Sequence, residues 1–289
     1  NEKFERNLAG IDLVIGAKGS PLQLILNSMY HIDAPTGNIS IKEVKPFLNP
    51  KHPLIRLAVP LSLGDSYRGF RIVGTTHAFL DSLYDVQMAE GKKWDADYEV
   101  TIGAEVAARS GLKLGDQFYS SHGLIDDGIN VHDHGDGFRV VGIIAPSGSV
   151  IDQLVLTSPQ SIWGVHDHVE TPPVMDDEPA EHDHDHDHSH DGHDHEGHDH
   201  SEHDHAAHDH AAAPAKPLAE NIDKDITSLL IRYRNPTNYQ ALNMPRNINE
   251  NTDLLAANPA WEMNRLMSMM GTGEKLLRSL ALIIVIVSA

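Results

Sequence analysis

Between residues 182 and 210 an imidazole recurs at almost every second or third position: His182, His184, His186, His188, His190, His193, His195, His198, His200, His203, His205, His208 and His210. Two pairs precede this tract, His132/His134 and His166/His168. Neutral imidazole is the commonest protein ligand for zinc and also suits copper and nickel, and the interleaved Asp residues add hard oxygens and negative potential. In extended chain, residues i and i+2 face the same side, so each His-Asp-His offers two nitrogens to one ion. The expected chemistry is several weak, exchanging sites for a divalent metal, zinc first, rather than one rigid tetrahedral centre. Two other readings stay open: a solvated low-complexity linker, and a pH-responsive segment whose imidazoles, with a reference pKa of about 6.5, offset the Asp charge.

Other chemistry-bearing patterns are incomplete. Gly16-Ala17-Lys18-Gly19-Ser20 holds the residue types of a phosphate loop in the wrong order. Neither a Gly-x-Ser-x-Gly elbow nor a His-Glu-x-x-His helix occurs. His132-Asp133-His134-Gly135-Asp136 begins like the run of metallo-β-lactamase-type hydrolases, but Gly137 stands where the closing His belongs. A metallo-hydrolase built on His132, His134 and Asp136 is therefore the third-ranked function. His31, His52 and His77 read as ordinary structural or surface residues, and Trp94, Trp163 and Trp261 as core or edge packing. Met263, Met267, Met269 and Met270 read as a flexible packing stripe rather than a soft-metal site.

Charge narrows the partners. With Lys+Arg 22 against Asp+Glu 42 the formal charge is -20, which disfavours nucleic acid and anionic membrane surfaces and favours cations. The excess is local, since residues 176–209 carry 14 acidic side chains and no Lys or Arg falls between Arg139 and Lys216. The chain has no cysteine, so disulfides, thiolate zinc sites and cysteine nucleophiles are excluded together.

These groups must be positioned by elements on either side of the tract. The first thirty residues read as helical pieces around a breaker at Gly16–Pro21. Residues 39–73 read as short strands cut by turns. Tyr98–Gly103 reads as a strand entering a short helix that Gly111 ends, and Gln117–Tyr119, Phe138–Ile144 and Leu154–Leu156 as further strands. From about 166 to 218 apolar periodicity vanishes, predicting a loop without a packed core. An alternating strand follows at Ile226–Tyr233, then a loop rich in Asn and Pro, then a helix from Trp261. The uncharged run Leu280–Ala289 would span roughly 15 Å as helix, about half a bilayer core, with Lys275 and Arg278 as interface anchors. It is read as the start of a transmembrane helix at 276–289, and the chain, which opens Asn1-Glu2-Lys3, as a segment excised between membrane helices.

Ile102-Gly103-Ala104-Glu105-Val106-Ala107, the turn Gly111-Leu112-Lys113-Leu114-Gly115-Asp116 and the strand Phe138-Arg139-Val140-Val141-Gly142-Ile143 follow one another in an order that resembles the MacB-like periplasmic core domain of FtsX-type ABC-transporter permeases. Residues 10–77, with Ile11–Pro21 and Gly64–Arg71, are similar to one bacterial branch of them. The resemblance implies an α+β fold in two parts. A porter-like α+β subdomain would come from both chain ends, 1–99 and 223–275, and a smaller, mostly-β subdomain would be inserted at 100–222. It further implies location at the bacterial inner membrane with this segment in the periplasm, and no catalytic residue. Its implied partners are a cytoplasmic ABC ATPase, a second permease copy, a periplasmic partner protein, and the membrane through flanking helices. No cofactor is required. The His/Asp insertion departs from the family pattern and suggests metal handling. A periplasmic zinc-buffering protein is the alternative.

Overall fold

Short runs of β-branched and aliphatic residues, cut by Gly, Pro and Asn, favour a strand-rich chain. The computed structural model describes residues 7–120, 137–167 and 217–269. In chain order the elements are β1 (Leu13–Ala17), α1 (Pro21–Tyr30), β2 (Ile39–Ser40), α2 (Ile41–Val44), β3 (Ile55–Tyr67), β4 (Phe70–Gly74), a π-helical turn (Phe79–Tyr84), β5 (Met88–Gly91), β6 (Glu99–Ile102), α3 (Ala104–Ser110) and β7 (Gln117–Phe118). They continue with β8 (Phe138–Ile144), β9 (Leu154–Thr157), α4 (Pro159–Asp167), β10 (Asp225–Ile226), β11 (Ser228–Tyr233), α5 (Tyr239–Asn251), β12 (Leu254–Ala257) and α6 (259–269). The fold is α+β, as the sequence indicates.

Among the described residues one mixed sheet runs in the order β12-β1-β11-β3-β4-β9-β6-β8-β5, with β7 pairing β8 off that path. β4–β9 and β6–β8 are parallel and the other pairs antiparallel. β2 and β10 form a separate two-stranded ribbon. One half of the sheet thus draws on both chain ends and the other on residues 70–157, with β3 common to both. β4 and β5, from before residue 100, pair with β9 and β8, from after it.

Both faces of the first half are covered. Val14, Leu230 and Leu255 point into a core with Leu24, Ile25 and Met29 of α1. Their strand neighbours Leu13, Ile15, Leu229, Ile231 and Leu254 point into a second core with Met244 and Ile248 of α5. Burying each such side chain contributes roughly 1.5–3 kcal/mol. A third core, around Ile72, Val100, Phe138 and Val155, lies under α3 and α4.

This two-sided burial corrects the reading of residues 11–17 as helical. A strand covered on both faces loses polar alternation and looks like any short apolar run. Gly16 lies within that strand where α1 packs close, and a Cβ there would stand 2.4 Å from Leu24 Cδ1. The strands expected over 39–73 are also partly corrected. Ser40 and Glu43 form a capping box that turns Ile41–Val44 into a helix, and Ile55–Tyr67 is one 13-residue strand rather than several.

The supposed Asn/Pro loop after Tyr233 holds α5 and β12. Asn238 accepts from Gln240 N at 2.8 Å to start α5, and Ala241, Met244 and Ile248 form its buried stripe between polar residues. Asn249 then grips the edge strand, donating to Ala256 O at 3.0 Å and accepting from Ala256 N at 2.7 Å. Trp261, expected to pack, is 74% exposed on the outer side of α6, whose Met263 turns inward. By contrast β6, α3, the left-handed cap at Gly111 (φ +79), and strands β7, β8, β9 and β11 occur where the sequence indicates.

Candidate functional site

The candidate metal ligands His132, His134, His168 and the thirteen from His182 to His210 lie outside the described residues, as does Asp136; His166 falls in the last turn of α4. The chain leaves the described structure after α4 and re-enters it before β10. Trp163 Nε1 donates to Asp225 O at 2.8 Å, so both sides of that opening are held together. Among the described residues no group of three His, Asp or Glu could hold a metal ion. Nor is any described helix long and apolar enough to cross a membrane, and the run 280–289 lies outside.

The three isolated histidines are structural. His52 Nδ1 accepts from Leu54 N and Ile55 N, both at 3.2 Å, where β3 begins. His77 Nε2 meets Trp94 O at 2.7 Å beside the buried indole ring. His31 caps α1 in the left-handed conformation (φ 53) and is buried edge-on against Phe79. Burial, helped by the nearby Arg71 charge, lowers its pKa to about 3, so it is neutral near pH 7. Of the methionine stripe, Met263 is buried while Met267 and Met269 are about half exposed; Met270 lies outside the described residues.

A denser arrangement joins the two ends of the described chain. Arg232, on β11, donates from Nε to Gly10 O at 3.2 Å, from Nη1 to Ser82 O at 3.0 Å and from Nη2 to Ala9 O. Tyr84 Oη donates to Asn7 O at 3.4 Å, and Asn7 Oδ1 accepts from Val150 N at 2.9 Å. Asp12 accepts from Tyr233 N at 2.7 Å; burial raises its pKa above the ordinary carboxylate value against the pull of that bond and of Arg232. Leu8 from the first described segment and Leu266 from the last pack on the same core as buried Met263. The guanidinium fork spans three carbonyls from two segments, which suits Arg and not Lys. Among the described residues no nucleophile–base pair accompanies it, and the hydrogen bonds tie residues 7–12 to β11, the π-helical turn and Val150.

Sequence reasoning missed both arginines that organise this structure. Arg232 sits in a strand that reads as alternating and Arg71 in a run, Phe-Arg-Ile-Val-Gly, that reads as a short strand, and neither position signals a role. β4 is in fact flanked by β3 and β9, and Arg71 is only 8% exposed. The single cue was a charged residue inside an otherwise apolar five-residue run.

No family model and no curated protein matches the chain. The solved structures similar to it in backbone include two transporter domains. One is the periplasmic region of MacB from Actinobacillus actinomycetemcomitans, at 10% identity over 92% of this chain and 98% of that one, with a TM-score of 0.46. The other is the extracellular domain of the noncanonical ABC-type transporter YknZ from Gram-positive bacteria, at 9% identity over 86% of this chain and 99% of that one, with a TM-score of 0.40.

Proposed function

We propose that this chain is the extracytoplasmic domain of a bacterial ABC-transporter permease, a lever without covalent chemistry of its own. The observation that carries the reading is the convergence of residues 7–10 and 263–266 on one core, tied to the sheet by Arg232. A domain whose described ends come together can be moved from one side, and the apolar run 280–289 begins eleven residues after the end of α6 in the sequence. In this reading a cytoplasmic ATPase supplies the work and a second permease copy completes the transporter. A periplasmic protein meets the part farthest from the membrane. The sheet half with β6, β7, β8 and β9 serves as the inserted subdomain, bound to the porter-like part through β4 and β5.

The test uses the full-length gene product expressed with its neighbouring ATPase. It is expected in the membrane fraction, and the ATPase is expected to co-purify with it. A freely dissolved product that retains no ATPase would overturn the proposal and favour the zinc-buffering alternative.

The His/Asp tract is assigned to capture of divalent metal, zinc first, near the membrane; its support is the imidazole spacing alone. Calorimetric titration of the whole chain and of a chain lacking residues 181–210 should show several weak zinc sites in the first and their loss in the second. Equal binding by both would remove the assignment.

A further inference from the structure

Among the described residues Arg71 is a buried cation with most of its hydrogen-bonding capacity unused. Its one hydrogen bond runs from Nη2 to Asp33 O at 2.9 Å, and Nε is sealed from solvent without a partner. Five N–H donors on a group this deeply buried are normally matched by carboxylates or several carbonyls. Other unused polar atoms gather beside it: both ring nitrogens of His31, and Asn27 Oδ1, whose amide nitrogen also donates to Asp33 O at 2.8 Å. Arg71 lines a cavity of about 420 Å³, walled by residues 33–35 of the connection after α1 and by residues 64–66 of β3. A space of that size is in the range of small-molecule sites.

The charges around it narrow the ligand. Asp33 Oδ1 accepts from Ala34 N and Asp65 Oδ2 from Ser120 Oγ, and both side chains belong to residues that wall the cavity. Two carboxylates repel a dianion such as phosphate, while Ala34 and Pro35 offer apolar surface. A single planar oxyanion matches the guanidinium fork.

We propose that this cavity binds the carboxylate of a small monoacid bearing a short apolar group, with the Arg71 guanidinium as its anchor. This goes beyond the permease reading and does not depend on it. A free short-chain acid and a peptide C-terminus present the same chemistry, and the test separates them. The whole 289-residue chain is titrated with isobutyrate, N-acetylvaline, N-acetylvalinamide and inorganic phosphate, by calorimetry and by the NMR signal of the Arg71 Nε–Hε group, assigned through R71K.

Saturable binding of isobutyrate or N-acetylvaline is expected, with the tighter of the two naming the source and the amide and phosphate bound at least tenfold more weakly. R71Q should weaken the carboxylate by about tenfold or more. A34L, which leaves the guanidinium in place and fills the wall, should abolish binding without lowering the melting temperature, and so covers the case in which R71Q fails to fold. Equal binding of amide or phosphate, absence of saturation by either acid in the millimolar range, or full binding by A34L would overturn the proposal.

Discussion

Arg232 and Arg71 sit on neighbouring parts of one sheet and use the same chemical group in opposite ways. Arg232, on β11, is half-buried and donates to three backbone carbonyls from two segments. Arg71, on β4, is more deeply buried and donates to one. A guanidinium with each of its three nitrogens on a main-chain carbonyl holds parts together. One left with spare donors beside a cavity has something to give a ligand, and the desolvation that pulls its pKa below the ordinary arginine value is opposed only by the charge of Asp33.

The largest expected effect breaks the saturated member. R232A should cost about 3 kcal/mol of unfolding free energy, because three charge-assisted hydrogen bonds to the carbonyls of Ala9, Gly10 and Ser82 are lost together. A denaturant midpoint measures it, and R232K should recover less than half. A loss below about 1 kcal/mol would mean that the junction is not held by this residue.

The next effect probes the surroundings of the unsaturated member through pH. His31 titrates near 3 when folded and near its ordinary value when unfolded, so below about pH 6.5 the unfolded chain takes up the proton first. Stability is therefore complete above that pH and declines as pH falls towards 3, by about 1.4 kcal/mol per unit in the middle of the window. H31N, which suits the left-handed backbone there, should remove about 2–3 kcal/mol of the loss between pH 6.5 and 4.5. If wild type and H31N lose stability in parallel, the imidazole is not buried as described. The smallest effect is that of R71Q on stability without ligand. With one hydrogen bond lost and a buried charge relieved, the midpoint should move by under about 1 kcal/mol in either direction. A loss as large as that of R232A would make Arg71 a structural residue.

Legibility followed locality. The Glu99–Gly111 strand, helix and cap, and the β8 strand, are encoded by their own residues: alternation, a glycine cap and a polar flank. β1 and α5 are encoded by what lies across from them. Leu13, Val14 and Ile15 become a strand because two cores claim alternate side chains. Ala241, Met244 and Ile248 become a buried stripe although Asn243, Asn247 and Asn251 surround them and Pro245 lies in the same helix. The sites were hardest for the same reason. An imidazole tract announces its chemistry by spacing, whereas an arginine announces nothing until its acceptors can be counted.

β3 belongs to both halves of the sheet, and between Leu63 and Ser66 its register against β4 slips, placing Gly64 and Asp65 opposite Ile72. That irregularity is also a wall of the Arg71 cavity. Flexure of the long strand at its bulge would reshape the chamber, and a molecule wedged inside would stiffen the joint. Mechanical strain and chemical occupancy meet there at the same three residues.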